Sequence, residues 1–226
     1  MLALWAPGAV RAQTAFVNGV INSYSAVTAL NPAANSLTIA NPAPFAFGDR
    51  VLLIQMQGAV MNETNTASFG AITNLNGAGS YEFGTICDLS GNTVSLVNGL
   101  VNTYDANGSL QLIRVPQYID VEVTGTLQAQ PWNGTTGGVL VFEATGTVQL
   151  QADIDLSGAG FRGGAFANST LACSFFSNSP DYFYSLASEE GGEKGEGIAT
   201  LLPNKETGRG PQVQGGGGGN SHNSGG

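Results

Sequence analysis

The chain has few charged residues and very few basic ones. Only 10% of its 226 residues are charged, and 7 Lys and Arg residues stand against 16 Asp and Glu, for a net charge of −9. Proteins that bind DNA or RNA neutralise phosphates with a basic surface, and this composition offers none. We therefore predict that nucleic acid is not a partner.

The chain also lacks long apolar runs and any long amphipathic helical pattern. No stretch approaches the roughly 20 apolar residues that a membrane-spanning helix needs. Low charge together with abundant Gly, Thr, Val and Asn disfavours a helical bundle. The sequence therefore predicts an all-β protein without a membrane span, long enough to bury a sizeable core.

Cysteine and histidine are scarce. Cys87, Cys173 and His222 are the only residues of these two types, and their spacing matches no zinc site. Export would allow the two cysteines to pair, but two isolated thiols fit the sequence equally well. His222 lies in a glycine tract with no partner to activate it, and no Gly-Lys-Thr/Ser follows the glycine strings as in a phosphate loop. We predict no catalytic residue, no metal and no cofactor.

An internal repeat is the most informative feature that is present. IDVEVTGTLQAQ, from Ile119 to Gln130, returns 21 residues later as LVFEATGTVQLQ, with six identical positions. Both copies alternate apolar and polar residues, and a period near 20 residues indicates a stacked solenoid. This predicts a right-handed parallel β-helix in which Thr124 to Gln130 lies directly alongside Thr145 to Gln151. The stacked coils should also contain Val139, Val141, Val148 and Leu150.

Composition along the chain predicts four segments. Residues 1–12 resemble a signal peptide with small residues near its end, and residues 13–117 read as a small β domain, either a barrel or a sandwich. Residues 118–164 are the predicted solenoid coils, which begin after Pro116 closes the last strand of the domain. Residues 165–226 form an irregular glycine-rich segment, either flexible or packed backbone against backbone, and its end within a glycine tract suggests a truncated chain.

Carboxylates and one tryptophan are the candidate ligand-contact residues. Asp153 and Asp155 are two apart on a predicted strand and would point to one face. With Glu122 and Glu143 at equivalent repeat positions, they could form an acidic strip that binds calcium or holds paired catalytic acids, or they could be solvated carboxylates. Trp132 could be a sugar-stacking platform or a plug in a corner of the core.

Two further groups have both a functional and a structural interpretation. Asp49 and Arg50 follow a Gly in FAFGDR, which favours a turn aspartate beside an exposed or paired arginine. A carbohydrate-binding module would need exposed coplanar aromatic rings, although such clusters usually pack beneath a loop. The candidates are Phe175, Phe176, Tyr182, Phe183 and Tyr184.

FAFGDRVLLIQMQGA, YEF, QLIRVPQY, the run from Gln130 to Gly164 and the closing glycine tract together resemble the N-terminal part of large secreted Bacteroidetes surface proteins of the gliding-motility and adhesin type. This resemblance implies an extracellular, repeat-bearing protein, often exported by type IX secretion and displayed on the cell surface. In that family long repeats and a C-terminal sorting or gliding-associated domain typically follow. The family region supplies no catalytic motif that could be carried over to this chain.

The sequence and the resemblance together predict a non-enzymatic extracellular module with a structural or adhesive role. A β-helix lyase or hydrolase and a carbohydrate-binding module are the alternatives. The expected partner is a surface polysaccharide or another component of the cell surface.

Overall fold

The computed structural model describes residues 14–165, 181–187, 191–200, 202–213 and 217–218. This part of the chain is all-β, as predicted, with one 3-10 turn at Pro32–Ala34. It holds no helix long and apolar enough to cross a membrane. The strands are β1 (Thr14–Val20), β2 (Ser23–Asn31), β3 (Ser36–Ile39), β4 (Arg50–Gln55), β5 (Val60–Met61), β6 (Ile72–Asn74), β7 (Tyr81–Ser90), β8 (Thr93–Leu96), β9 (Leu110–Arg114), β10 (Gln117–Tyr118), β11 (Asp120–Gln128), β12 (Glu143–Ala144) and β13 (Val148–Leu150).

Six antiparallel strands close into a barrel in the order β2-β3-β8-β7-β4-β9. Successive residues of a strand point to opposite faces, so Val51 and Leu53 of β4 enter the barrel core while Arg50 faces outward. Closure leaves no unpaired sheet edge to aggregate. Of the two predicted architectures for this region, the barrel is the one observed. Its core contains Val27, Leu37, Ile39, Phe45, Val51, Leu53, Ile86, Val94, Leu96, Leu110 and Leu112.

The strands outside the barrel that flank it in sequence pair in parallel, and we call them the parallel stack. β11 pairs with β1 on one side and with β13 on the other, while β10 pairs with β12. β1 precedes the barrel, so the chain leaves the stack after β1, forms the barrel and returns at β10. Residues 14–20, which lie inside the predicted domain 13–117, therefore share a sheet with the segment that follows the barrel.

The register of the parallel stack differs from the predicted one. Val121 lies opposite Val148, and Leu127 bridges to Ile154 rather than to Val148, so the spacing is 27 residues rather than the 21 of the sequence repeat. Thr124 to Gln130 therefore does not lie directly alongside Thr145 to Gln151. The observed and predicted registers differ by six residues, which is an even number. Every apolar side chain therefore stays on the same face of its strand, and the longer spacing costs no burial.

The extra residues are used by a segment that crosses the outside of the barrel, residues 131–142, which we call the clasp. Val139 and Val141, predicted to lie in stacked coils, instead pack against the barrel exterior beside Leu52 and Ile113. Thr145 then bonds back to the stack, its N–H donating to the Tyr118 carbonyl at 3.1 Å. The second repeat copy is thus divided between the clasp and the stack.

Two polar side chains of the barrel and one from the residue just before it hold the clasp. The Gln111 amide donates to the Gly137 carbonyl at 3.0 Å and accepts from its N–H at 2.9 Å. The Tyr24 hydroxyl donates to the Val139 carbonyl at 2.6 Å. Asn22 donates to the Val141 carbonyl at 2.6 Å and accepts from its N–H at 3.0 Å. A side-chain amide that pairs both ways with a backbone substitutes for a neighbouring strand, so the barrel and the stack are joined by specific hydrogen bonds.

The described part of the glycine-rich segment packs backbone against backbone. Three glycines from three passes of the chain form a closed ring of hydrogen bonds: Gly192 donates to Gly218, Gly218 to Gly208, and Gly208 to Gly192, at 2.8 to 3.1 Å. A Cβ added to Gly218 would lie 1.8 Å from the Gly192 carbonyl oxygen, so no larger residue fits. Of the two alternatives for this segment, close packing is the one observed here.

Candidate functional site

Trp132 is buried and belongs to the core. Its ring meets Phe161 edge to face, with centroids 5.5 Å apart and an interplanar angle of 89°. Its backbone N–H donates to the Ala159 carbonyl at 2.9 Å, which repeats the 27-residue spacing of the stack. This is the geometry of a plug between successive passes, with the indole closed to a bound sugar.

Asp153 and Asp155 are exposed, and they are not brought together with the two glutamates. Asp155 accepts from the Ser157 N–H at 2.8 Å, and hydrogen bonds from Ser157 lower the pKa of its carboxyl. Glu122 lies opposite Gln149, whereas Glu143 lies opposite Gln117, so the glutamates do not stack on each other. In the described ranges, no three His, Cys, Asp or Glu residues converge as metal ligands would. The acidic strip is absent from this region, and a ligand-contact role for the two aspartates stays a prediction.

The predicted aromatic cluster is a packing element where the structure describes it. Phe183 contacts Phe69 with ring centroids 5.3 Å apart, and Tyr182 packs in the same apolar cluster at the end of the barrel. Phe175 and Phe176 lie outside the described residues. The described rings are half-buried and form no open platform.

The described residues do not test the predictions about the two cysteines and about His222. Cys87 is exposed on β7, whereas Cys173 lies outside the described residues, so their pairing stays undecided. His222 lies outside them as well.

In the described part of the glycine-rich segment, the buried ammonium of Lys194 makes three hydrogen bonds. Only 1% of the residue is exposed, and its ammonium donates to the carbonyls of Tyr182 at 2.9 Å, Gly208 at 3.0 Å and Gly210. The same nitrogen lies 4.7 Å from the centroid of the Phe69 ring. Burial lowers the pKa of Lys194 to about 8, so the amine remains charged at neutral pH. Such a buried amine acts as a brace, because all three donors are used internally.

An ion pair joins the glycine-rich segment to Arg162, in the segment that follows β13. Arg162 donates to Glu196 through Nε at 3.0 Å and through Nη2. Hydrogen bonds from Arg162 lower the pKa of Glu196. A surface opening of about 250 Å³ lies beside this pair. Glu193 on its rim accepts from the Ala165 N–H at 3.0 Å, so the charges of this opening are already engaged.

The richest exposed grouping lies on the barrel wall beside β12, and we call it the aromatic face. It consists of Tyr81 and Phe83 on β7, Arg50 on β4, Gln117 on β10 and Glu143 on β12. Arg50 Nε pairs with Glu143 Oε1 at 3.2 Å, and Gln117 Nε2 donates to Glu143 Oε2 at 3.0 Å. The Arg50 guanidinium lies 5.1 Å from the centroid of the Phe83 ring. The face therefore combines two exposed rings with three planar polar groups.

Sequence reasoning missed the aromatic face because its members come from distant parts of the chain. The turn beside it was predicted correctly: Asp49 accepts from the Ala46 N–H at 2.8 Å, and it pairs with Arg114 at 3.0 Å. Arg50 is also a paired arginine, but its partner Glu143 is 93 residues away. The available signal was the alternation of YEF, which places Tyr81 and Phe83 on the same side of a strand.

Comparisons with known proteins give only distant structural likenesses. No family model and no curated protein matches the chain. The tailspike gp61 of Pseudomonas phage phi297 is 17% identical with a TM-score of 0.26, and the match covers 46% of this chain and 15% of that one. The tailspike gp54 of Acinetobacter baumannii bacteriophage AP22, solved with A. baumannii capsular saccharide, is 14% identical with a TM-score of 0.32 and coverages of 63% and 28%. The tailspike gp49 of Pseudomonas phage LKA1 is 18% identical with a TM-score of 0.27 and coverages of 50% and 20%. The chain thus spans less than a third of the length of each of these structures.

Proposed function

We propose that the chain is a non-enzymatic extracellular surface module in which a β-barrel is fixed to the first coils of a β-solenoid. The observation that carries this proposal is the 27-residue spacing, which recurs at Val121 with Val148, at Leu127 with Ile154 and in the backbone bond from Trp132 to Ala159. A recurring spacing between parallel strands is how a solenoid extends in one dimension.

The contacts between the barrel and the stack support a structural role. The clasp is bonded to the barrel through Asn22, Tyr24 and Gln111, and valines of the clasp fill an apolar seam against the barrel wall. Hydrogen bonds of this kind resist sliding because each has a defined partner and direction. A rigid joint of this kind suits a structural or adhesive surface module.

The extracellular location is tested on intact cells of the source organism. We expect antibodies raised against the full chain to label unpermeabilised cells, and we expect brief external protease treatment to remove that label. A cytoplasmic protein, probed in parallel, controls for lysis. Labelling that requires permeabilisation would contradict the surface role.

The non-enzymatic part of the proposal is tested with polysaccharides. Full chain incubated with a panel of surface polysaccharides should release no new reducing or unsaturated ends. Release that either Asp153→Asn or Asp155→Asn abolishes would replace this proposal with a carbohydrate-active enzyme. The two variants are suitable because both side chains are exposed, so neither substitution disturbs a buried contact.

Carbohydrate binding without chemistry is the second candidate function. The specific observation in its favour is the pair of exposed aromatic rings on the barrel wall, Tyr81 and Phe83. The ring cluster that the sequence suggested for this role is packed where it is described, so the binding hypothesis moves to the aromatic face.

A further inference from the structure

The two aromatic rings of the aromatic face are exposed next to a part of the barrel wall that the clasp covers. Tyr81 is 59% and Phe83 is 39% exposed. Their cross-strand neighbours on β4, Ile54 and Leu52, lie within the apolar seam covered by the clasp. The clasp thus shields the wall of β4 and stops short of the two rings on β7. Exposed aromatic side chains grouped in this way mark interaction sites.

The two rings are placed to act together. They are two residues apart on one strand, so they project from the same face about 6 to 7 Å apart along β7. Tyr and Phe side chains have few rotatable bonds and lose little entropy when a ligand packs on them. Each exposed ring offers apolar surface, which suits the apolar face of a pyranose ring with its set of C–H groups.

Planar hydrogen-bonding groups lie at the Phe83 end of the face, where the Arg50 guanidinium is 5.1 Å from the Phe83 ring centroid. Arg50 uses Nε for Glu143, and among the described residues no hydrogen bond engages its two terminal nitrogens. Glu143 and Gln117 place a carboxylate and an amide beside them. Hydroxyl groups of a sugar both donate and accept, so a guanidinium, a carboxylate and an amide side by side can satisfy neighbouring hydroxyls.

We propose that the aromatic face, formed by Tyr81, Phe83, Arg50, Glu143 and Gln117, binds a neutral saccharide chain by ring stacking and hydrogen bonding. Two electrostatic features favour a neutral ligand over an anionic one. The net charge of −9 repels polyanions, and Glu143 already neutralises Arg50. This inference rests on the proposed surface role only for its biological setting, because the binding itself is a property of the barrel wall.

The test measures binding of full chain to neutral hexasaccharides by titration calorimetry. The probes are the β-1,4-glucose, β-1,3-glucose, β-1,4-xylose and β-1,4-mannose hexamers, with polygalacturonate as the anionic comparison. We expect at least one neutral hexamer to bind and polygalacturonate to bind more weakly. Tyr81→Ala and Phe83→Ala should each weaken binding about 3- to 10-fold, the range measured for single aromatic contacts.

Two further variants make the result specific. Phe16→Ala removes another exposed ring, 68% exposed on β1 in the parallel stack, and should leave the affinity unchanged. Phe83→Leu keeps the apolar bulk beside Arg50 while removing the ring face, so it provides a second measurement if Phe83→Ala lowers the melting temperature.

Several results would overturn the proposal. These are no binding to any neutral hexamer, equal affinity for wild type and the Tyr81 and Phe83 variants, or stronger binding to polygalacturonate. The aromatic face could instead bind a second copy of the chain, which sedimentation velocity detects. A dimer that dissociates in the Tyr81→Ala variant would make this face an interface between two copies. The cell-surface labelling described above is independent of these outcomes, so a failure here leaves the surface role standing, and a failure there leaves saccharide binding standing.

Discussion

Two leucines of the parallel stack should respond very differently to the same truncation. Leu127 on β11 is fully buried among Val17, Val121 and Val123, whereas Leu150 on β13 is 57% exposed. Truncating a buried leucine to alanine removes transfer free energy and leaves a cavity, together about 2 to 5 kcal/mol. Less than half of Leu150 is buried and water fills the vacated space, so its loss should be about 1 kcal/mol or less.

Urea denaturation followed by circular dichroism and by Trp fluorescence measures this difference. With a slope of ~3 kcal/mol per molar urea, Leu127→Ala should lower the midpoint by about 1 M and Leu150→Ala by about a third of that or less. Val123→Ala and Val148→Ala form a second matched pair, one buried and one exposed. Equal losses within each pair would refute the reasoning, because they would mean that the edge at β13 is covered in solution or that β11 is not the centre of the stack.

Three further predictions address the register, the buried amine and the glycine ring. In a cysteine-free background, Glu122→Cys with Gln149→Cys should oxidise to a disulfide, because these residues lie opposite each other, whereas Glu122→Cys with Glu143→Cys should not; non-reducing peptide mapping decides. Lys194→Met should lower the free energy of unfolding by several kcal/mol, since three carbonyls lose their donor. The free energy of unfolding of the wild type should also rise between pH 8 and about pH 9.5. In this range folded Lys194 has released its proton, whereas a lysine in the unfolded chain, with a pKa near 10.4, still holds one. Urea midpoints of Lys194→Met should lack this rise. Gly218→Ala should loosen the glycine-rich segment and speed its amide exchange while leaving the barrel unaffected, since its Cβ would overlap a carbonyl.

The barrel was largely predictable because its strands carry their own signals. The Gly-Asp turn followed by an apolar run predicts a buried strand from Val51 to Met56, and β4 runs from Arg50 to Gln55. Closure into a barrel rather than a sandwich depends on long-range pairs such as Ser23 with Arg114, which no local pattern specifies. The strands of the barrel could therefore be predicted from local sequence, whereas the order in which they pair could not.

The register of the stack could not be derived from the repeat. Identical residues in two copies favour stacking like on like, but a shift of an even number of residues preserves the inward set and is equally compatible with burial. The six additional residues of the 27-residue spacing accommodate the clasp, which is bonded to Asn22, Tyr24 and Gln111. These polar side chains read as ordinary surface residues in a strand pattern, so the sequence gives no sign that they bind backbone elsewhere.

The sequence also could not predict which aromatic residues are exposed. For Trp132 the sequence left two interpretations, a sugar-stacking platform and a plug in the core, and the structure shows the plug. Tyr81 and Phe83 attracted none, since aromatic residues on a strand are usually core, and only the three-dimensional position of the clasp leaves them exposed. Whether an aromatic residue is core or surface was decided by a neighbour about 60 residues away in sequence.

The barrel and the glycine-rich segment are stabilised by opposite means, and this determines where each tolerates change. In the barrel, apolar volume holds the strands, so a conservative swap of one aliphatic residue for another is absorbed. Around Gly192, Gly208 and Gly218 there is no side-chain volume to exchange: three backbones meet at hydrogen-bonding distance, and the Lys194 ammonium binds carbonyls of the same passes. Even one methyl group there would separate the backbones and break directional bonds that no repacking restores. Where the structure describes it, a segment whose composition resembles a flexible linker therefore has backbone contacts that leave no room for a side chain.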